Sequence, residues 1–275
     1  MHRLQALCDG MSAQTVLHRL RRLTDGMEYR ERLYRGQFAT EGRESFCIKF
    51  LETDLWIGVD AGSYSSYMKD DAMQWVVELR RSMDACILAD PEFKSSLLPY
   101  DAVAFAPETM KHMSAVSHRS GIGPMSAVAG AFAEYVAVKL REKYGCSEVI
   151  VENGGDIYAD SQSDMDIAVF AGESPLSGRV GLHIPASDFP LGICTSSGTV
   201  GPSLSFGRAD AVMIVCRDVM LADSYATAFA NRIRTVEDLQ PVTDLIAVHD
   251  DILAAITVKD DRMAMCGRYE LRIFK

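Results

Sequence analysis

SEVIVENGGDIYAD, at residues 147–160, contains two apolar runs on either side of a polar, glycine-rich centre. The runs VIV and IYA each predict a buried strand. The adjacent glycines Gly154 and Gly155 indicate a backbone that bends sharply or lets another group approach closely. A hairpin turn with the polar side chains of Asn153 and Asp156 at its ends is the simpler interpretation. A turn that faces a ligand is the alternative.

The pattern on both sides of this stretch predicts short strands and a few long helices. Helices are expected at 63–90, 107–116, 126–140 and 222–233, with Asp223 in the first turn of the last one. Strands are expected at 29–35, 45–53, 54–59, 166–171, 179–184, 191–195 and 211–216, with a short element at 243–248 and a hairpin at 256–274. Runs of strands and helices that do not alternate as βαβ units predict an α+β fold with antiparallel sheet.

Composition and charge exclude several classes of function. The chain has 275 residues, 48% of them hydrophobic, which is enough for a substantial core. A net charge of −10 argues against a nucleic-acid partner, which would need a basic face. No apolar run reaches the roughly 18–20 residues that span a bilayer, and no secretory signal is recognised, so no membrane partner is expected. The seven cysteines form no CxxC pair, which favours reduced thiols and a cytoplasmic location.

Two short patterns could carry chemistry. Asp223 and Thr227 are four residues apart on a predicted helix, so they share one face and offer two hard oxygen ligands for Mg²⁺ or Ca²⁺. The alternative is a carboxylate that stabilises a helix N-terminus and a hydroxyl bonded to its own helix. The turn at 195–198, TSSG, follows an apolar strand and could present N–H groups and hydroxyls to phosphates. A purely structural turn is again the alternative.

Taken in order, ENGGD, TSSG and ADSYATA resemble the motifs of the ApbE superfamily. Its best-known members are transferases that move FMN from FAD onto a protein threonine with Mg²⁺. The phrases at 170–178, 195–201 and 205–211 are similar to those of its UPF0280 branch. The resemblance implies two T-fold-like units, each an antiparallel sheet backed by helices. It also implies one ApbE-like domain at 29–275, preceded by an N-terminal extension or helix at 1–28.

The resemblance implies a role for each of the three motifs. Asp223 and Thr227 match the metal-binding pair, with Mg²⁺ as the implied metal and FAD or FMN as the implied flavin. The turn near the metal and the flavin corresponds to Asn153, Gly154, Gly155 and Asp156. The loop that faces the flavin nucleotide corresponds to Thr195, Ser196, Ser197 and Gly198. The implied partner is therefore a small-molecule nucleotide or flavin, and no catalytic residue is assigned.

Two departures from the transferase pattern keep a second function open. Val128-Ala129-Gly130 stands where the transferases carry a lysine between small residues. After TSSG the chain continues as TVGPSLSFG, without the histidine and aspartate of the transferases. One hypothesis is a transferase-like enzyme that binds or transfers a flavin nucleotide with a divalent metal. The other is a non-transferase factor with a remodelled pocket in sulfur assimilation or homocysteine biosynthesis. A homodimer is left open.

Overall fold

The computed structural model describes residues 42–198 and 207–274, which lie within the compact unit Tyr34–Lys275. The helix predicted near the N-terminus and the strand predicted at 29–35 lie outside the described residues. The division into an extension at 1–28 and a domain at 29–275 therefore stays a prediction.

The described residues form one large antiparallel sheet and one small one. The large sheet has eight strands in the order β1-β2-β3-β4-β7-β8-β9-β10, and the small sheet has three in the order β11-β6-β5. The strands are β1 Arg43–Phe50, β2 Thr53–Asp60, β3 Val149–Asn153, β4 Asp156–Asp160, β5 Met165–Ala168, β6 Val180–Ile184, β7 Leu191–Ser196, β8 Ala211–Cys216, β9 Ile252–Lys259, β10 Arg262–Gly267 and β11 Glu270–Ile273. Every pairing between neighbours is antiparallel.

The helices are α1 Met68–Ala89, α2 Glu92–Ser95, α3 Glu108–Ser120, α4 Val128–Tyr144, α5 Val219–Ala230 and α6 Leu239–Ala247. A 3₁₀ turn, Pro124–Ala127, leads directly into α4. Among the described residues, no single helix is long and apolar enough to cross a bilayer. Glu108–Ser120 and Pro124–Tyr144 meet that test only together, and they are bent by 109° at the break between them.

The large sheet consists of two similar halves placed edge to edge. In each half two strands are followed by helices and then by two more strands: β1-β2, α1 to α4, β3-β4, and then β7-β8, α5 and α6, β9-β10. This confirms the predicted α+β fold and its two T-fold-like units. The halves join where β4 pairs with β7, so the β3–β4 turn and the end of β7 are neighbours.

Both faces of the large sheet are covered, and strand β8 shows how. Its alternate residues Val212, Ile214 and Cys216 pack into the core under the helices. Ala211, Met213 and Val215 pack into a second core, between the large sheet and the small one. A strand buried on both faces has no polar alternation, which explains the continuous apolar run AVMIVC.

The structure corrects several predicted boundaries. Helix α5 begins at Val219 rather than at 222, because Asp218 caps it by accepting a hydrogen bond from the Leu221 N–H at 3.1 Å. Asp223 therefore lies in the second turn, not the first. The predicted hairpin at 256–274 is also wrong at its end, since the last strand leaves β10 and pairs with β6. The short element at 243–248 is the last part of helix α6, which ends at Ala247.

Candidate functional site

The glycine pair forms the turn of a tight hairpin between β3 and β4. Asn153 pairs with Asp156, and Gly154 and Gly155 between them have φ values of 71° and 107°. Two successive positive φ values match the twist of paired strands and favour glycine. The hairpin interpretation of the sequence is therefore right. The Gly155 N–H donates to the buried Glu152 carboxylate at 2.8 Å, and its carbonyl accepts from the Thr195 N–H at 3.1 Å.

Asp223 points from α5 towards the start of α4. Its Oδ2 accepts a hydrogen bond from the Gly130 N–H at 2.8 Å. The side chain is buried, and burial raises the pKa of its carboxyl to about 7 against the opposing effect of the Gly130 and Ala129 N–H groups. Gly130 permits this contact, because a Cβ at that position would lie 3.2 Å from the Asp223 Cβ. The carboxylate thus stabilises the N-terminus of α4, not of its own helix.

The hairpin turn reaches the same helix start from the other side. The Asn153 side-chain amide donates to the Ala129 carbonyl at 3.0 Å. Asn153 and Asp223 therefore hold adjacent residues of one helix turn. The start of α4 thus links the turn at 153–156 to Asp223, which lies 70 residues after Asn153 in the chain.

The loop after β7 meets α5 through Thr227. The Thr227 hydroxyl donates to the Ser196 hydroxyl at 3.3 Å. Further along the loop, the Gly198 N–H donates to the Ala209 carbonyl at 2.9 Å. These two contacts fix the loop between the helix and the residues that lead into β8.

Cys194 shows that Asp156 and Asp223 lie near each other, at the corner of the fold where the β3–β4 turn, the end of β7 and helix α5 meet. It pairs with Asp156 across β4 and β7, and its thiol donates to the Val219 carbonyl at 3.6 Å. Burial raises the pKa of the Cys194 thiol well above its usual range, and the nearby carboxylates of Asp156 and Asp223 add to that effect. The structure thus brings the hairpin turn, the loop and helix α5, which carries Asp223 and Thr227, together.

Two parts of this corner were not predicted from the sequence. Ser224 is fully buried and its hydroxyl bonds to Ser120 at 2.6 Å and to Ser126 at 2.7 Å, which ties α5 to α3 and to the turn before α4. Glu152 is also fully buried, under the hairpin turn. The sequence does carry a signal for Glu152, because it is an acidic residue that ends an apolar strand just before two glycines. A serine among alanines carried no comparable signal.

A shallow groove of about 450 Å³ lies beside this corner, between α3, α4 and the start of α5. It is lined in part by His112, Glu134 and Met220, and by none of the predicted site residues. His112 Nε2 bonds to Asp218 Oδ2 at 2.8 Å, which raises the pKa of the imidazole. Burial and the Asp218 charge raise the pKa of the Glu134 carboxyl. We place the candidate site at the corner of converging motifs rather than in this groove, because the groove lacks their hydroxyls and glycine turns.

The corner offers hard oxygen ligands for a metal. Within residues 42–198 and 207–274, no group of three His, Cys, Asp or Glu side chains could hold an ion by itself. The buried carboxylate of Asp223 nevertheless lies one turn of α5 before Thr227, whose hydroxyl bonds to that of Ser196 at 3.3 Å. A cation would offset the cost of ionising the buried carboxylate, so the donor set fits Mg²⁺.

A family model described as "AbpE bacteria" matches residues 36–259. Among curated relatives, the UPF0280 protein of Methanocella arvoryzae is 41% identical over 193 residues, 70% of this chain and 78% of its own length. That of Methanococcoides burtonii is 38% identical over 226 residues, 82% of this chain and 92% of its own.

Two solved structures share the fold at low sequence identity. The apo flavinyl transferase ApbE of Pseudomonas stutzeri aligns with a TM-score of 0.50 and 12% identity, over 82% of this chain and 94% of its own. A mutant of the flavin transferase ApbE from Vibrio cholerae aligns with a TM-score of 0.51 and 14% identity, over 82% of this chain and 96% of its own. The structural alignments establish a common fold, and identities this low say nothing of shared chemistry.

Proposed function

Because the chain belongs to the UPF0280 family of ApbE-like proteins, we propose that it binds a flavin nucleotide, FAD or FMN, together with a divalent cation. One observation carries the proposal: the hairpin turn at 153–156, the loop at 195–198 and the pair Asp223 and Thr227 converge on one corner. The two solved structures that share this fold are flavin transferases. A cytoplasmic location and a homodimer stay predictions.

Asp223 and Thr227 would hold the cation, which we propose to be Mg²⁺. An ionised carboxylate has about four acceptor sites, and the N–H groups that face Asp223 use only part of them. The Thr227 hydroxyl, 3.3 Å from Ser196, is placed on the loop side of the same helix. A bound Mg²⁺ would neutralise phosphate charge and polarise a phosphoryl oxygen. The nucleotide's phosphate oxygens would complete the set of hard ligands.

The remaining predicted residues would position the nucleotide. Thr195, Ser196 and Ser197 offer hydroxyls beside a glycine, and such turns bind phosphates through N–H and O–H groups. The Gly154-Gly155 turn has no side chains, so a planar ring can approach its backbone closely. Asn153 fixes that turn against α4. The chain's own residues thus bind and orient the nucleotide.

A non-transferase factor on the same scaffold is the second candidate. The absence of a lysine at Val128-Ala129-Gly130 favours it, since this helix start lies against the carboxylate of Asp223. Such a protein would bind the nucleotide without moving FMN. The sulfur-assimilation role belongs to this candidate.

The test uses the purified full chain and thermal shift with FAD or FMN, with and without Mg²⁺. We expect a flavin-dependent rise in Tm that requires Mg²⁺, and we expect Asp223→Ala and Thr227→Val to remove it. Asp70→Ala, an exposed acid on α1, is the matched control and should respond as wild type does. A wild-type protein unshifted by either flavin with Mg²⁺ would refute the proposal. Release of AMP from bound FAD would separate the transferase from the second candidate.

A further inference from the structure

The groove beside the corner, between α3, α4 and the start of α5, offers a second place for a small molecule. Its volume of about 450 Å³ is within the range of ligand pockets. Its apolar wall includes Val138, Met220 and the ring of Tyr135, and His112 and Glu134 bring an imidazole and a carboxyl to the same hollow. An apolar wall with a few polar groups is the usual composition of a ligand site.

The carboxyl of Glu134 is half-buried and has no partner of its own. It makes no hydrogen bond or ion pair with any residue in 42–198 or 207–274. The His112 imidazole bonds instead to Asp218, at 2.8 Å. Burial and the negative charge of Asp218 raise the pKa of the Glu134 carboxyl, and the charge of His112 acts against them as the smallest of the three effects. Because a half-buried carboxylate lacks much of its hydration, a positive charge that enters the groove would stabilise it.

The lysines of the flanking helices are engaged with other acids. On α3, the ammonium of Lys111 bonds to the Glu108 carboxylate at 2.7 Å. On α4, the ammonium of Lys139 lies 3.6 Å from the Glu142 carboxylate. Within the described part of the chain, Glu134 therefore has no lysine partner. The positive charge that would complement it has to come from a ligand.

We propose that the groove binds a small molecule with one primary ammonium group on a short apolar body. The ammonium would donate to the Glu134 carboxylate, and the body would lie on Val138, Met220 and the Tyr135 ring. A ligand carboxylate would instead face the like charges of Glu134 and Asp218, so the groove disfavours acids. The groove is lined by none of the residues of the proposed flavin site, so this inference goes beyond the proposed function.

Three probes that share one body test the choice of charge: phenethylamine, 2-phenylethanol and 3-phenylpropionate. Isothermal titration of the full-length protein at pH 8 measures each of them, because an alkylammonium keeps its proton there, as lysine does. We expect phenethylamine to bind at least about tenfold more tightly than the alcohol, the usual effect of one charge-assisted hydrogen bond. 3-Phenylpropionate should not bind. No binding of the amine, equal affinity for amine and alcohol, or tighter binding of the acid would overturn the inference.

Two variants identify the group that the ammonium contacts. Glu134→Gln keeps the shape of the side chain and removes its charge, so it should weaken phenethylamine binding about tenfold and leave 2-phenylethanol binding unchanged. Glu78→Gln, at an exposed acid on α1, is the matched control and should bind the amine as wild type does. His112→Gln should tighten amine binding, because the groove loses a positive charge. Wild-type affinity in Glu134→Gln, or weaker binding in His112→Gln, would overturn the assignment.

Methyl labelling of methionine locates the bound probe. Met220 lines the groove, so its methyl resonance, assigned with Met220→Leu, should shift when phenethylamine is added. The methyl of Met165, which is buried between the two sheets, should not shift. A shift at other methionines without one at Met220 would place the amine elsewhere and overturn the inference. A wild type that binds no flavin would remove the proposed function and leave this inference intact.

Discussion

Replacing Asp223 with asparagine should stabilise the metal-free protein and abolish its response to Mg²⁺. Burial raises the pKa of the Asp223 carboxyl from 3.8 to about 7. The folded state therefore holds a proton that the unfolded chain has lost between those pH values. The stability that comes from the neutral carboxyl is fully present below pH 4 and is lost as the pH rises through 7.

The size of the effect follows from the pKa difference. A shift of about 3 pKa units corresponds to about 4 kcal/mol of unfolding free energy at pH 8. Asparagine has nearly the same shape as aspartate and cannot ionise. Its side-chain carbonyl oxygen can still accept the hydrogen bond from the Gly130 N–H. Asp223→Asn in EDTA should thus be more stable than wild type at pH 8, by up to that amount. Near pH 5 the two should differ much less.

Urea denaturation followed by circular dichroism, from pH 5 to pH 9, measures this difference with and without Mg²⁺. The other ionisable groups at the corner, Asp156 from β4 and Cys194 from β7, are the same in both proteins. Wild type should gain stability from Mg²⁺ and flavin at pH 8, and Asp223→Asn should not. If Asp223→Asn is less stable than wild type at pH 8 in EDTA, ionisation of the buried Asp223 carboxyl does not lower the unfolding free energy, and the reasoning is refuted. If it keeps the Mg²⁺ response, Asp223 is not a metal ligand.

Three further outcomes follow from other contacts. Ser224→Ala should lower the unfolding free energy by about 1–3 kcal/mol in urea titrations, because the half-buried hydroxyls of Ser120 and Ser126 each lose a bond to the buried Ser224. An unchanged midpoint would contradict this. Gly207→Ala should lower the Tm clearly, since its Cβ would overlap the Ala230 carbonyl; a wild-type melting curve would show that the contact relaxes freely. For His112, whose pKa is raised by Asp218, the stabilising charge is present below the unfolded pKa of about 6.5 and is lost as the pH rises through the folded value. His112→Gln should therefore flatten the stability–pH profile in that window, and an unchanged profile would refute the assignment.

The fold was largely predictable because the strands and helices carry strong local signals. AVMIVC and the runs beside the two glycines are apolar enough to be recognised as buried strands without knowing their partners. The start of α5 was missed because its first turn, VMLA, is apolar all round and carries no periodicity. Its cap, Asp218, was the available signal. The partner of β11 was not predictable, since pairing across the sheets depends on tertiary packing.

The candidate site was predictable as a set of motifs but not as a set of contacts. Spacing placed Asp223 and Thr227 on one helix, yet nothing in it identifies Gly130 as the group that Asp223 contacts. That contact requires α4 to begin where α5 passes, which only the packed helices define.

The two interpretations of Asp223 that the sequence left open are not exclusive. The structure assigns it the structural role, at the N-terminus of α4 rather than of α5. A carboxylate used only to stabilise a helix start gains nothing from complete burial, because burial opposes ionisation. With a raised pKa, Asp223 favours its charged form only when a positive group is near. A cation that arrived with a nucleotide would provide that group, and burial of the carboxylate would then couple metal binding to nucleotide binding.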